Sequence, residues 1–145
     1  MRTFLAGASL LAVDNKMSGM QPIHYACERG HEDVVRWLHA KGAKLTVAAG
    51  PDYLCGMQPI HIVCQRGDLN TAQWLHAQGV GIETVDNNGM RPMHYASFGG
   101  QWTVAEWLQV RGAALDVETN SGMQPIHYGN YSAFQSPVSL DYMVD

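Results

Sequence analysis

One six-residue motif is written four times along this chain. It reads Gly19-Met20-Gln21-Pro22-Ile23-His24, Gly56-Met57-Gln58-Pro59-Ile60-His61, Gly89-Met90-Arg91-Pro92-Met93-His94 and Gly122-Met123-Gln124-Pro125-Ile126-His127. The copies start 37, 33 and 33 residues apart. A fixed period near 33 residues constrains the fold more than composition can, because it requires one supersecondary unit stacked on copies of itself.

Within the first unit, Pro22 stands where a helix begins, a position at which its missing N–H is no loss. Ile23, Ala26 and Cys27 follow at helical spacing, and Gly30 ends the segment after about two turns. A second helix runs through Val34, Val35, Trp37 and Leu38, with its apolar residues at i, i+1, i+3 and i+4. Gly42 stops it, and the residues to about Tyr53 read as extended or looped. Isolated helices shorter than about 12–15 residues are marginal in water. Each must therefore bury its apolar face against the next unit, which is the physical reason for the repetition.

The unit resembles the ankyrin repeat, whose motif runs Gly-x-Thr-Pro-Leu-His-x-Ala-Ala, then Gly-His, then a Val-Val and Leu-Leu helix ending in Gly-Ala. The first unit matches at Gly19, Pro22, His24, Ala26, Gly30, His31, Val34, Val35, Leu38, Gly42 and Ala43. The second matches at Gly56, Pro59, His61, Gly67, Leu75 and Gly79; the third at Gly89, Pro92, His94, Ala96, Gly100, Val104, Leu108, Gly112 and Ala113. The resemblance implies an all-α solenoid of stacked antiparallel helix pairs with projecting hairpin loops. It also implies that each periodic His bonds the backbone of a neighbouring hairpin.

On this reading residues 1–18 are a partial N-terminal repeat, since Gly7-Ala8-Ser9-Leu10 looks like Gly112-Ala113-Ala114-Leu115. Residues 19–55, 56–88 and 89–121 are full repeats, 122–135 a partial C-terminal repeat and 136–145 a tail. The first unit carries four extra residues within Thr46 to Cys55, where Gly50-Pro51-Asp52 signals a turn. The family's capping Thr is replaced by Gln21, Gln58, Arg91 and Gln124. Loss of an N-cap costs about 0.5–2 kcal/mol per helix, so an array softer than an idealised one is expected.

Composition enters as a filter on function. With 9 basic residues against 13 acidic ones, the net charge of −4 disfavours nucleic acid, which requires a basic stripe. No apolar run reaches the ~18 residues of a membrane span. Arg2 with Thr3-Phe4-Leu5-Ala6 is too short an apolar run for a signal peptide. Three cysteines, Cys27, Cys55 and Cys64, point to a reducing setting. The cytoplasm is expected, with the nucleus as the alternative, and a monomer.

The residues able to carry chemistry read mostly as structure. His24/Cys27 and His61/Cys64 share a helix face, and zinc accepts both ligand types. Stacked helices lie about 8–10 Å apart, whereas ligands of one tetrahedral zinc sit only about 4 Å from each other. Ser97 and Asn130 also break the pattern, so no metal or cofactor is expected. Trp37, Trp74 and Trp107 recur in register and read as core between repeats, while Trp102 falls off the ladder and reads as exposed. No nucleophile elbow, phosphate loop or metalloprotease His pair is present. An enzyme is not expected.

What remains is a module that binds a protein partner on its concave face. The resemblance places Met20, Met57 and Met90 near the hairpin bases on the side partners use, and Met suits an adaptable surface. Non-repeated residues set the partner: Glu28, Arg29, Gln65, Arg66, Phe98, Trp102 and Tyr131 on helices, and Asn87, Asn88, Asn120 and Ser121 on tips. Tyr53 on the long finger is a further anchor, Tyr being common at hot spots. Arg29 and Arg66 lie in adjacent units, so the partner is expected to present an acidic segment. The alternative is a repeat spacer or tether within a larger multidomain protein, suggested by the mid-repeat start and the degraded fourth unit.

Overall fold

A computed structural model describes residues 19–50 and 55–128. The expectations for residues 1–18, for Tyr53, and for Tyr131 and the tail lie outside the described residues. The described helices are α1 (Pro22–Glu28), α2 (Glu32–Ala40), α3 (Pro59–Arg66), α4 (Leu69–Ala77), α5 (Pro92–Phe98), α6 (Trp102–Val110) and α7 (Pro125–Tyr128). The described residues contain no strand, so the array is all-α as the repeat implies.

Both helices of a unit end the same way. Gly30 and Gly100 take positive φ, and the next amide reaches back five residues: His31 N–H to Ala26 O at 3.0 Å and Gln101 N–H to Ala96 O at 2.8 Å. Second helices close identically through Ala43 N–H to Leu38 O, Val80 N–H to Leu75 O and Ala113 N–H to Leu108 O. This six-to-one closure satisfies carbonyls that a helix end leaves orphaned.

Each first helix packs on its own second helix and on the first helices of the neighbouring units. The core is a set of ladders at equivalent positions: Ile23, Ile60 and Met93; Val35, Ala72 and Ala105; Leu38, Leu75 and Leu108. Most are fully buried, and a buried side chain of this size contributes about 1.5–3 kcal/mol. Cys27 and Cys64 fill a fourth ladder with Ser97, whose hydroxyl donates to Met93 O at 2.8 Å.

The loops between units are closed by antiparallel backbone bonds. Asp86 N–H donates to Met90 O and Thr119 N–H to Met123 O, enclosing equal spans. In the first unit the same rung joins Ala49 to Met57, a span four residues longer. The four extra residues therefore fall between Ala49 and Met57, outside the helices of either unit.

Candidate partner-binding edges

The periodic histidines set the frame on which any surface is built. None of Gln21, Gln58 and Arg91 makes a side-chain cap to its helix. Instead the backbone N–H of each donates to Nδ1 of His24, His61 and His94 at 2.9 Å. That bond fixes the tautomer, since Nδ1 must be unprotonated and Nε2 must carry the hydrogen. Nε2–H then donates to Val47 O at 2.8 Å, to Thr84 O at 2.8 Å, and in the third unit to Val117 O and Met123 O. Each ring thus straps the start of a first helix to the loop that closes the unit. The missing Thr is offset in part, although Gln58 Oε1 is left buried and unpartnered. Burial lowers the pKa of all three rings. With both ring nitrogens engaged by backbone, none of the three offers a lone pair to a metal.

The methionines do not form a surface. Met20 and Met57 are 5% and 6% exposed, and Met90 is half-buried. Each follows a glycine of positive φ, and Met57 lies in the hydrophobic core with Met90 packed against it. The assignment of Met20 and Met57 as contact residues is corrected accordingly, whereas Met90 keeps part of its surface exposed. The Trp ladder is likewise only partly core. Trp107 is buried, but Trp37 and Trp74 are half-buried. His39 meets Trp74, and His76 meets Trp107, edge-on at 5.6 and 5.7 Å between centroids. Arg36, paired with Glu32 at 2.6 Å, lies over Trp74. An open groove of about 470 Å³ runs along this second-helix layer, lined by Glu32, Arg36, Asn70, Gln73 and Trp74.

The remaining candidates divide between two edges. First helices expose little along their length: Pro59–Cys64 of α3 and Pro92–Ser97 of α5 are buried throughout. Asn87, Asn88, Asn120 and Ser121 are exposed on the tips, where α5 and α7 begin. Glu28, Arg29, Arg66, Phe98 and Trp102 are exposed at the other end, where first helices stop and second helices start. Gln65 is half-buried there. A first helix of 7 residues spans about 10 Å, so the two sets do not form one patch.

The tip edge is held from unit to unit by backbone groups. Asn87 N–H donates to Cys55 O at 2.8 Å and Asn120 N–H to Asn88 O at 2.9 Å. Asn120 Nδ2 adds a bond to Asn87 O at 3.0 Å. The close fit requires glycine: a Cβ on Gly89, whose φ is +77°, would stand 2.6 Å from Asn120 Oδ1 and 2.9 Å from its backbone nitrogen.

A buried network behind this edge escaped the sequence reading. Asp86 Oδ1 accepts from Asn88 N–H at 2.8 Å and Met90 N–H at 2.9 Å, while Oδ2 accepts from the Tyr95 hydroxyl. Burial and the Asp86 carboxylate push the Tyr95 pKa up. Thr119 and Tyr128 repeat the arrangement more weakly in the fourth unit. The signal available was Asp86 immediately before Asn87-Asn88-Gly89, since Asp at the head of a turn bonds backbone amides two residues on. The half-buried pair Glu83–Arg91 at 3.3 Å explains why Arg replaces Gln in the third unit. Glu83 also accepts from Ala114 N–H.

The sequence model described as ankyrin repeats (many copies) matches residues 23–76 and 67–109, more than half of the chain. No curated protein matches the chain. No described helix is long and apolar enough to cross a membrane.

Proposed function

The chain belongs to the ankyrin-repeat family, and on that premise we propose that it is a non-enzymatic scaffold or adaptor that binds a protein partner. Ankyrin repeats are generally protein–protein interaction modules. The observation that carries the reading is the tip edge: exposed Asn87, Asn88 and Asn120 stand in a row joined by backbone hydrogen bonds. A surface rigid before binding loses less entropy on binding, and that gain appears as affinity. Asn side chains supply adaptable donors and acceptors to a partner's backbone. The partner contributes an acidic segment, because neither the Arg29 nor the Arg66 guanidinium has a partner among the described residues. The protein acts as a monomer in a reducing compartment, where Cys27, Cys55 and Cys64 stay free as they are here.

The test is affinity capture by the immobilised chain, quantified against two variants, Asn87→Lys/Asn88→Lys and Arg29→Glu/Arg66→Glu. All these residues are exposed, so melting temperatures should agree within a few degrees. A partner retained by the natural chain and lost from either variant supports the reading. Retention identical across all three proteins, or no selective retention, sinks it.

A further inference from the structure

Asn stands directly before Gly once in this sequence, at Asn88-Gly89. Asn is a thermolabile residue, and the glycine after it lacks the Cβ that would hold a neighbouring group away from its nitrogen. Asn88 is exposed at its tip, and the equivalent residue of the next tip is Ser121, which has no amide to lose. For the Gly89 nitrogen to reach Asn88 Cγ, the peptide plane between the two residues must rotate. The structure pins that plane at both ends. Its carbonyl, Asn88 O, accepts from Asn120 N–H at 2.9 Å, and its N–H, on Gly89, donates to Asp86 O at 3.1 Å. The amides on either side are held as well, Asn88 N–H and Met90 N–H donating to Asp86 Oδ1 at 2.8 and 2.9 Å. The Asn120 side chain lies against Gly89 from the next tip, its Oδ1 2.6 Å from where a Cβ would stand. Rotation must break two backbone bonds together, so it requires the tip to open locally.

We propose that Asn88 is a site of slow self-deamidation, gated by the bonds that close its tip. In the open tip the Gly89 nitrogen gives its proton to hydroxide and bonds to Asn88 Cγ. The Cγ–Nδ2 bond breaks, and ammonia leaves after taking a proton from water. Water then opens the five-membered imide. Attack at Cγ gives Asp; attack at the main-chain carbonyl carbon gives isoaspartate, in which the chain runs through Cβ and Cγ. Either product adds one negative charge to a net of −4, close to the buried Asp86 carboxylate. The isoaspartyl form also lengthens the main chain by one atom inside the 86–90 turn. It takes the carbonyl that holds Asn120 N–H out of the main chain, so the two tips lose the bond that joins them. This change concerns the chain alone and is independent of which partner the tips bind.

The test incubates the full chain at pH 8 beside a synthetic peptide of residues 83–93, which has no second tip to latch onto. Digestion and mass spectrometry follow the conversion of amide to acid at each Asn. In the full chain Asn88 should convert faster than Asn120, yet at least tenfold more slowly than in the peptide. Urea kept below the unfolding transition should speed it, a comparison in which the sequence is not altered. Asp86→Ala, which removes both Oδ1 bonds, should speed it at least threefold, and Asn88→Ser should abolish it. In the isoaspartyl fraction, separated by ion exchange, the Asn120 amide should exchange its hydrogen at least tenfold faster than in fresh chain. Three results each overturn the proposal. One is conversion in the full chain as fast as in the peptide. Another is no conversion at Asn88 over an incubation that would exhaust the peptide many times over. The third is a rate that neither urea nor Asp86→Ala changes.

Discussion

At the scale of single residues, the periodic histidines carry two tests. Replacing His61 by Ala removes both of its backbone bonds and leaves the Gln58 N–H and Thr84 O without partners. An unsatisfied buried group costs about 1–3 kcal/mol, so a loss of about 2–4 kcal/mol is expected in denaturant unfolding once the vacated volume is included. A cost below about 1 kcal/mol would mean the ring is not a strap. The second test is pH. Burial holds His24, His61 and His94 below the ordinary value of 6.5. Below that value the unfolded chain binds protons that the folded chain refuses, so stability falls as pH drops from about 6.5 toward the folded values. Well above 6.5, from about pH 7.5 upward, these groups contribute no slope. Melting temperatures at pH 8.5, 7.5 and 5.5 should be flat over the first step and fall over the second. A flat or rising trend throughout contradicts the assignment. Glycine offers a matched pair of substitutions. Gly89→Ala meets Asn120 as well as an unfavourable φ, whereas Gly112→Ala at φ +101° meets nothing within 4 Å. Both pay roughly 1 kcal/mol for the left-handed backbone, and the former should cost at least about 1 kcal/mol more.

At the scale of elements, helix positions could be read from Pro, Gly and apolar spacing, because those signals are local. The structure bears out the pairs: α1 follows Gln21, α2 runs through Val34, Val35, Trp37 and Leu38, and Gly42 closes it. What spacing could not show was direction. The repeat puts Met20 and Met57 at a hairpin base on the side partners use, yet both side chains are buried. The Trp ladder reads as core between repeats, and all three rings do pack on the core, but a period reports register and not how much of a large ring the next unit covers. The Asp86 turn depends on Tyr95, nine residues away on another element, and no local pattern joins them. Asp86→Ala should free the Asn88 and Met90 amides and loosen the 86–90 turn while the helices persist. Amide hydrogen exchange at Met90 should speed by at least tenfold, with little change at Leu75. Unchanged exchange at Met90 would show that the backbone rung alone holds the turn.

At the scale of the molecule, stability is carried by interfaces between neighbouring units, and the question is whether the units open separately. The thiols report on this. Burial pushes Cys27 up to about 12 and pushes Cys64 up as well, and both side chains are inaccessible. Cys55 is half-buried. A thiol reagent at neutral pH should label Cys55 first. Cys27 and Cys64 should follow together, at a common rate set by unfolding. Labelling of Cys27 well ahead of Cys64 would mean that the first unit frays independently. The array itself was legible in the sequence because a period survives any uncertainty about single side chains. The division of the contact residues into two edges was not, because it depends on how little of α3 and α5 remains exposed. The tip latch has a further consequence for how such a chain can change over generations. The Asn87 and Asn88 side chains take no part in the bonds that join the tips, which run through their backbone amides and carbonyls with one bond added by the Asn120 side chain. Substitution there can therefore explore new specificities while the stack holds, provided the glycine behind each tip is kept. Grammar resides in the main chain and vocabulary in the side chains, so partners can be exchanged without redesigning the scaffold.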